Sequence, residues 1–479
     1  MKRIEIFILL LILILGFILR LYKFNAPLAD WHSWRQVDTS SVSRMFAEEG
    51  FNFLYPKFHD LSNVPSGIYD NPEGLRFVEF PIYNALQAGG FLLFKTFTIE
   101  EWGRLITIFS SLIAALLIYL ILRKHSNSQV ALLGAFFYAL LPFNIFWGRT
   151  VLPDQTAITA TLAGIYFFQI YLGQLNRKGL KKNLFFLLPL VFFSSALLLK
   201  PFAVFFFLPP VYLAFRKFGF DIFKRKDLWA ITILSVLPFI LWRFWMLQYP
   251  AGVPQSGWLF NGSEIRFKGA FFHWIFAKRI GELILGFWGI APFVIGIITK
   301  KKDYFFLSFL LSSLLYLFAV ATGNVTHSYY QVLIMPTIAI FLSFGSYFLI
   351  NPPTQFISKI SSRIVLVTCV VLAFAFSWYQ VRDYYNIQNS SIIIAGNAVD
   401  RLTPKDAKVV APYEGDTTFL YFTKRRGWPS FSKPIEGLIH DGATHLVLVN
   451  PKEQDYEIGE KFRIVEAANE YIIFDLRVK

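Results

Sequence analysis

Long apolar segments recur along most of the chain and constrain its fold more than any other feature. Each of the following has close to the roughly 20 apolar residues that a helix needs to cross a bilayer: 4–22, 105–122, 129–146, 156–172, 228–247, 279–298, 304–321, 330–350 and 363–379. Because the lipid core offers no hydrogen-bonding partner, the backbone within it must be helical. Hydrophobic residues make up 55% of the 479 residues and charged residues 16%. This balance indicates a membrane protein.

The Lys and Arg residues predict the orientation, because such clusters mark the cytoplasmic side of a membrane protein. They lie at 1–3, 123–125, 176–182, 216–226, 300–302 and 358–363. All six fall on one side if 82–97 is an interfacial helix on the outer surface. The stretch 183–215 must then form two short spans that turn at 200–202. The sequence therefore predicts about eleven spans, with the N-terminus inside and the C-terminus outside.

The same topology divides the chain into two expected domains. Residues 1–380 form a transmembrane domain whose first span is retained, since no small-residue cleavage site follows it, and whose first outer loop covers 23–103. Residues 381–479 form an extracytoplasmic tail. In the tail, "AKVVAPY", "THLVLVN" and "YIIFDL" predict strands, whereas "NSSIIIAGNAVDRL" and "DTTFLYFTKR" predict helices. We expect a small α/β domain there.

Several classes of function lack their usual sequence features. The net charge of +15 lies in the short loop clusters, so it indicates topology and not a nucleic-acid partner. The single cysteine, Cys369, has no internal disulfide partner. The chain has no Gly-rich phosphate loop, no H-E-x-x-H motif and no G-x-S-x-G elbow.

Unusual polar residues collect on the predicted outer side. The passage "ADWHSWRQVDTSS" at 29–41 directly follows the first span, and ionisable groups near the membrane indicate a functional site. Together these residues predict a cavity on the outer side that is lined by both acidic and basic side chains. The residues are Asp30, His32, Arg35, Asp38, Glu79, Arg149, Asp154, Lys200 and His327. A carboxylate there would take a proton from an attacking hydroxyl, and cations would stabilise a leaving phosphate.

The order of short motifs resembles a known family. After the first-loop passage come "EFPIYNAL" at 79–86, "GR" at 103–104, "WGRTVLPDQTA" at 147–157, "LLLKPFAV" at 197–204 and "THSYYQVLIMPTIAI" at 326–340. This series resembles the membrane glycosyltransferases of the GT-C fold, in particular family 39, which includes protein O-mannosyltransferases and aminoarabinose transferases. The resemblance covers nearly all of the transmembrane region. It implies a polytopic GT-C fold with outer juxtamembrane helices, and transfer of a sugar from a polyprenyl-phosphate donor, usually with inversion.

The resemblance also implies that an Asp of the first loop acts as general base or orients the acceptor. Relatives often carry Asp-Glu where this chain has Arg35 and Gln36. We therefore favour Asp38, at the start of a helix that continues through Arg44, with Asp30 as the second candidate. The alternative is that Asp38 only caps that helix, and Asp30 has the alternative of a plain loop residue.

The remaining candidates are assigned to substrate binding, and each has a simpler alternative. Glu79 positions the acceptor or helps to hold a metal, or is an exposed loop residue. Arg149 and Asp154 bind the donor phosphate and the acceptor, or pair with each other. Lys200 reaches a phosphate, or extends to the membrane surface.

Three further residues, His327, Tyr329 and Tyr330, match a stretch thought to line the donor pocket, or belong to an interfacial aromatic belt. Arg35 is also counted among the substrate-binding residues. No metal site is assigned, and a divalent metal remains open because Glu79 and Asp154 would be ligands only if they meet in space.

The favoured function is thus a polyprenyl-phosphate-sugar-dependent glycosyltransferase of the cell (inner) membrane, acting at the outer face on a lipid, glycan or protein acceptor. A transporter or flippase of lipid-linked saccharides is the alternative. It would call for charges at the midplane and inverted repeats, and the sequence shows neither. A non-catalytic scaffold would leave the polar first loop unexplained.

Overall fold

The structure is a computed structural model that describes residues 3–175, 180–353 and 358–478. Two of the basic clusters, at 1–3 and 176–182, lie partly outside these ranges. The α-helices are α1 (Arg3–Arg20), α2 (Ser33–Glu49), α3 (Ile82–Phe94), α4 (Ile99–His125), α5 (Ser128–Leu140), α6 (Pro142–Trp147), α7 (Asp154–Gly173), α8 (Leu180–Leu199), α9 (Leu208–Phe218), α10 (Lys226–Met246), α11 (Trp258–Asn261), α12 (Gly269–Phe272), α13 (Ile290–Thr299), α14 (Tyr304–Ala319), α15 (Ala321–Thr326), α16 (Met335–Ile350), α17 (Lys359–Val381), α18 (Ser391–Leu402), α19 (Thr418–Thr423) and α20 (Ile435–His440).

Strands and tighter or wider helical segments complete the described chain. The strands are β1 (Lys408–Val410), β2 (Arg426–Trp428), β3 (His445–Val449), β4 (Arg463–Ala467) and β5 (Tyr471–Asp475). A π-helix covers His273–Ile284. The 3-10 segments are Pro201–Phe207, Gly219–Lys224, Pro250–Gly252, Gly262–Phe267, Ser328–Ile334, Arg382–Tyr385 and Glu453–Glu460.

In the described ranges, six helical segments are long and apolar enough to cross a membrane. They are Ile99–His125, Asp154–Gly173, Pro201–Lys224, Lys226–Met246, Ser328–Ile350 and Lys359–Tyr385. Shorter apolar helices add to them, and the predicted interfacial segment does form a helix, α3. The prediction of a polytopic helical membrane protein with a small C-terminal α/β domain is confirmed.

The chain divides into two compact units. The first unit consists of Met1–Phe24, Leu105–Leu241 and Ser256–Asp383. In this unit α7 packs on α8, and α16 packs on α5 and α13. The backbones of α13 and α16 touch at two glycines: a Cβ on Gly296 would lie 1.9 Å from the Phe341 carbonyl oxygen, and one on Gly345 would lie 1.7 Å from that of Pro292. Small residues allow such close packing of apolar helices.

The second unit consists of Asn25–Arg104, Trp242–Gln255 and Tyr384–Lys479. Its sheet has the order β2-β1-β3-β5-β4, with β1 parallel to β2 and β3, and β5 antiparallel to β3 and β4. Alternate strand residues point to opposite faces. Val409, Val447 and Ile473 pack with α18 and α19, whereas the other face carries Val410, Leu446 and Phe474.

Residues of the predicted first loop join this sheet. Leu61 belongs to the second of these two cores. The Gly427 amide of β2 donates to the His59 carbonyl (2.9 Å), and the Leu61 amide donates to the Gly427 carbonyl (2.8 Å). Residues of the predicted first loop therefore extend the outer edge of β2. The boundary at 380/381 stays a prediction, and the loop and the tail fall within the same compact unit.

Three predicted strands coincide with β1, β3 and β5, and the two predicted tail helices with α18 and α19. The start of α2 was predicted wrongly. The helix begins at Ser33 after His32, which has a left-handed backbone (φ 54°). Asp38 therefore lies in the second turn of α2, so it does not cap the helix.

Candidate active site

Asp30 is held against the start of α2 by a glutamine. Its Oδ1 accepts a hydrogen bond of 2.6 Å from Gln36 Nε2, which also donates to the Trp31 carbonyl (3.2 Å). Asp30 is only 2% exposed. At Gln36 the family resemblance led us to expect an acidic residue, and here the Gln36 amide supplies a donor that a glutamate side chain would lack.

Arg35 and Glu79 form a close ion pair in the second unit. Arg35 Nη2 lies 2.5 Å from Glu79 Oε1, and Arg35 Nη1 donates to Thr39 Oγ1 at 3.3 Å, one helical turn along α2. The Glu79 side chain is 13% exposed. The structure thus places Glu79 in a mostly buried pair immediately before α3 and not on an exposed loop.

Asp38 is held from two sides by residues that are distant in sequence. Its Oδ2 accepts from Arg76 Nη2 at 2.5 Å, and its Oδ1 accepts from Thr417 Oγ1 at 2.7 Å. Thr417 follows β1 in the tail, so the first loop and the tail both hold this carboxylate. The ion pair and the hydrogen bond fix its orientation, because charge-assisted hydrogen bonds are the strong ones.

Two further carboxylates interact electrostatically with Asp38. Burial, together with the charge of Asp38, raises the pKa of Asp60 to about 7. Burial also raises the pKa of Asp416, and Asp38 adds to this effect. Carboxyl groups are thus concentrated around Asp38, and Arg76 is a cation in direct contact with it.

Arg44 anchors the C-terminal half of α2. Its Nη2 lies 2.9 Å from Glu100 Oε1, its Nη1 donates to the Tyr421 carbonyl (3.0 Å), and its guanidinium lies 3.8 Å from the centre of the Tyr421 ring. Such a stacked, hydrogen-bonded arginine fixes the position of a helix. We assign Arg44 a structural role.

The first unit contains a separate cluster around Lys200. Lys200 follows α8, and its Nζ lies 3.0 Å from an oxygen of Asp154, the first residue of α7. The ammonium is 5.6 Å from the ring centres of both Tyr329 and Tyr330. Lys200 is 4% exposed, so its side chain is buried in this unit and does not extend to the surface.

Arg149 and His327 belong to the same unit. Arg149 Nη1 donates to the carbonyl oxygens of Tyr22 (2.8 Å) and Lys23 (2.9 Å), which follow α1. The His327 ring stacks on that of Tyr329, with ring centres 5.6 Å apart. Burial and the nearby Arg279 lower the pKa of His327 to about 4. His327 is therefore neutral near pH 7 and adds no positive charge to this unit.

The candidates thus form two groups. Asp30, Arg35, Asp38 and Glu79 belong to the second unit, and Arg149, Asp154, Lys200, His327, Tyr329 and Tyr330 belong to the first. The sequence did not single out Arg76, Thr417, Asp60 or Asp416. Arg76 offered one signal, since it lies three residues before Glu79. The other three lie in loops whose proximity to α2 depends on the tertiary fold.

A metal site receives no support from these side chains. Among the described residues, no group of three or more His, Cys, Asp or Glu is placed to hold a metal ion. Asp38 contacts Arg76, and Asp154 contacts Lys200. Each carboxylate already has a cationic partner from the protein, so these groups do not fit a divalent metal and no step is assigned to one.

The chain has the GT-C fold of membrane glycosyltransferases. The sequence model of the dolichyl-phosphate-mannose-protein mannosyltransferase family matches residues 77–245. This match agrees with the resemblance to family 39, and the predicted GT-C assignment is confirmed. Search of the curated proteins finds no significant match.

Two solved structures have a similar fold over most of this chain. ArnT from Cupriavidus metallidurans, bound to undecaprenyl phosphate, is similar with a TM-score of 0.67 at 11% identity, over 97% of each chain. The oligosaccharyltransferase AglB from Archaeoglobus fulgidus, in complex with an inhibitory peptide and a dolichol-phosphate, is similar with a TM-score of 0.56 at 11% identity. That match covers 95% of this chain and 70% of AglB. At this identity the likeness establishes the shared fold of an integral membrane protein.

Proposed function

We propose that the protein is a glycosyltransferase that moves a hexosyl or pentosyl group from a polyprenyl-phosphate donor to an acceptor hydroxyl at the outer face of the cell membrane. The observation that carries this proposal is the fold match over 97% of the chain to an ArnT bound to undecaprenyl phosphate. The match to a dolichyl-phosphate-mannose-dependent family supports the same donor class. The extracytoplasmic position of the tail is part of the proposal.

The proposed reaction is a single displacement with inversion. The acceptor oxygen attacks the anomeric carbon, the bond from that carbon to the phosphate oxygen breaks, and the polyprenyl phosphate leaves with the electron pair. The acceptor proton passes to a carboxylate of the first loop, which acts as general base. We assign this role to Asp38, because Arg76 and Thr417 orient its carboxylate.

The donor phosphate is assigned to Lys200 and Arg149, two cations of the first unit. Positive charge of this kind stabilises a leaving phosphate. Asp154 orients the Lys200 ammonium at 3.0 Å, and the rings of Tyr329, Tyr330 and His327 pack around this group. In the second unit, Arg35 and Glu79 position the acceptor, and Asp30 is the second candidate for the base.

The test measures transfer of labelled sugar from a polyprenyl-phosphate donor by the purified full-length protein. We expect Asp38→Asn to lower kcat by about 10²- to 10⁴-fold, because it removes a general base. Asp30→Asn should have the smaller effect. The matched control is Asp406→Asn, which changes an exposed aspartate of the same unit.

Full activity of Asp38→Asn would overturn the assignment of the base. A larger loss in Asp30→Asn than in Asp38→Asn would transfer the role to Asp30. Movement of the lipid-linked sugar across a vesicle membrane, without transfer to any acceptor, would overturn the transferase function itself.

A further inference from the structure

A cavity lies at one end of the tail sheet, outside the residues assigned above. Its volume is about 780 Å³, within the range of small-molecule sites, roughly 300–1,000 Å³. The lining residues are Pro412, Tyr413, Glu414, Asp416, Ser430 and Phe431. They come from two loops only: the one that follows β1 and the one that follows β2.

The position of the cavity is the one where open α/β sheets bind their ligands, outside the carboxyl ends of parallel strands. Backbone hydrogen bonds join the two loops. The Tyr413 amide donates to the Pro429 carbonyl at 2.8 Å, and the Gly415 amide donates to the same carbonyl at 3.1 Å. Glu414 (φ 52°) and Gly415 (φ 82°) both have left-handed backbones, which turn the β1 loop sharply. The walls of the cavity are therefore built by ordered backbone.

The lining combines aromatic rings with hydrogen-bonding oxygens. Tyr413 and Phe431 offer ring faces, and Phe431 is 48% exposed although it is large and apolar. Glu414, Asp416 and Ser430 offer oxygen atoms. A sugar has apolar C–H faces that pack on rings and hydroxyl groups that donate to carboxylates, so this lining has the chemistry of a glycan site.

The cavity also adjoins the proposed base. Asp416, on its wall, is followed directly in the chain by Thr417, which donates to Asp38 Oδ1 at 2.7 Å. Consecutive Cα atoms are about 3.8 Å apart, so one short loop both lines the cavity and holds the base. Asp416 and Asp38 also interact electrostatically.

We propose that this cavity binds the acceptor and that the acceptor is a neutral glycan. This inference rests on the proposed transferase function and names the acceptor class for it. A glycan bound between Phe431 and Glu414 would be held by the loop that orients Asp38, which takes the proton of the attacking hydroxyl. Thr417 is then a positioning residue that connects acceptor binding to the base.

The charges around the cavity disfavour an anionic acceptor, and its aromatic rings fit the apolar faces of a sugar. None of the six lining residues is a cation, and Glu414, Asp416 and the nearby Asp38 would repel a phosphorylated acceptor. The carboxylates of the lining accept hydrogen bonds from sugar hydroxyls, and the Ser430 hydroxyl both donates and accepts. The rings of Tyr413 and Phe431 add the apolar surface that a sugar face requires.

The test has a binding arm that needs no donor. Saturation-transfer NMR of the full-length protein in nanodiscs would use maltose, cellobiose and diacetylchitobiose as neutral probes, glucose 6-phosphate as the anionic probe and a Lys-Ser-Thr peptide as the cationic probe. We expect at least one neutral disaccharide to bind. Phe431→Ala and Glu414→Gln should each weaken that binding about tenfold.

The matched controls are Tyr456→Ala and Glu457→Gln, an exposed ring and an exposed carboxylate elsewhere in the tail. They should leave binding unchanged, and the thermal midpoint of each variant reports whether it is folded. In the transfer arm, Phe431→Ala should raise the KM for the glycan acceptor about tenfold, with a much smaller change in kcat.

Three outcomes overturn the inference: binding of the phosphate or peptide probe alone, binding of no neutral disaccharide, or equal loss in the Tyr456 and Glu457 controls. The binding arm and the transfer arm distinguish failure of this inference from failure of the proposed function. If a neutral disaccharide binds at Phe431 while the wild-type protein transfers sugar from no polyprenyl-phosphate donor, the cavity is a glycan site and the transferase proposal fails.

Discussion

The two polar clusters contain the same kinds of side chain, but cations predominate in the first unit and carboxyl groups in the second. In the first unit, Lys200 pairs with one carboxylate, that of Asp154, and two aromatic rings lie near the ammonium. Arg149 is a further cation of this unit and is held by the carbonyls of Tyr22 and Lys23. In the second unit, carboxylates predominate around Asp38, and Arg76 is the cation in contact with it. A cationic cluster suits a leaving phosphate, and an acidic cluster suits an acceptor proton. Charge balance, more than residue type, therefore separates the two proposed roles.

The largest effect is expected when Lys200, the cation of the first cluster, is removed. Lys200→Met leaves Asp154 as a buried charge without that partner, which should lower the free energy of unfolding by about 3–5 kcal/mol. Lys200→Met combined with Asp154→Asn should recover most of the thermal midpoint, while transfer stays low because the phosphate has lost its cation. Full activity of the stable double variant would show that the pair is only structural.

The second cluster is tested by the hydrogen bond from the tail to Asp38. Thr417→Val removes the hydrogen bond to Asp38, and hydrogen bonds to charged groups contribute about 1.5–3 kcal/mol. If this energy holds the base in its productive orientation, its loss should lower kcat about 10- to 100-fold. Thr417→Ser keeps the hydroxyl and should restore activity. Because Thr417 positions the base, the KM for the donor should stay nearly constant; a rise in donor KM with unchanged kcat would contradict the assignment.

The acidic cluster also predicts a pH dependence of stability. The pKa of Asp60 is raised to about 7, above its ordinary value, so the folded state binds more protons than the unfolded state between about pH 4 and pH 7. The contribution of Asp60 to stability is therefore present at low pH and lost as the pH rises through 7. In the wild type, this effect should lower the free energy of unfolding by about 2 kcal/mol between pH 5 and pH 8. Asp60→Asn should abolish that decrease.

His59, next to Asp60, acts in the opposite direction. Burial and the nearby arginines lower its pKa well below the ordinary value, so its contribution is lost as the pH falls below about 6.5. The measurement is therefore the difference in thermal midpoint between wild type and Asp60→Asn at each pH, from which His59 cancels. A difference that does not change with pH would contradict the raised pKa.

The smallest expected effect concerns the rings of the first cluster. Tyr330→Leu removes one of the two rings near the Lys200 ammonium. The loss of this cation–π interaction should lower the free energy of unfolding by about 1 kcal/mol. Tyr330→Phe keeps the ring face and should be close to wild type. A double-mutant cycle with Lys200→Met measures the coupling; equal losses with and without Lys200 would mean that the ring only fills space.

The sequence predicted the periodic parts of the molecule well. Long apolar segments defined a helical membrane protein, and β1, β3 and β5 stood out as apolar runs bounded by turn residues. β2 and β4 were missed, because "RGW" is short and β4 lies largely exposed at the sheet edge. α2 starts earlier than expected, because the left-handed His32 turns the chain at a residue type without an evident turn signal.

The partners of the candidate residues were beyond sequence reasoning. Asp38 and Thr417 are separated by 379 positions, and no periodicity connects residues so far apart. The same is true of Asp154 and Lys200, which meet because the ends of α7 and α8 come together. Sequence identified which residue types were unusual on the predicted outer side, whereas the fold determines which of them touch.

The pairing of Leu61 with Gly427 has a consequence for biosynthesis. Residues near 60 are made early and β2 is made more than three hundred residues later, so this part of the second unit stays incomplete until the ribosome has nearly finished. Contacts this distant in sequence form slowly. The nascent loop around Leu61 therefore remains without its strand partner until β2 has been made, and a chain that stops before β2 would lack the strand with which this loop pairs.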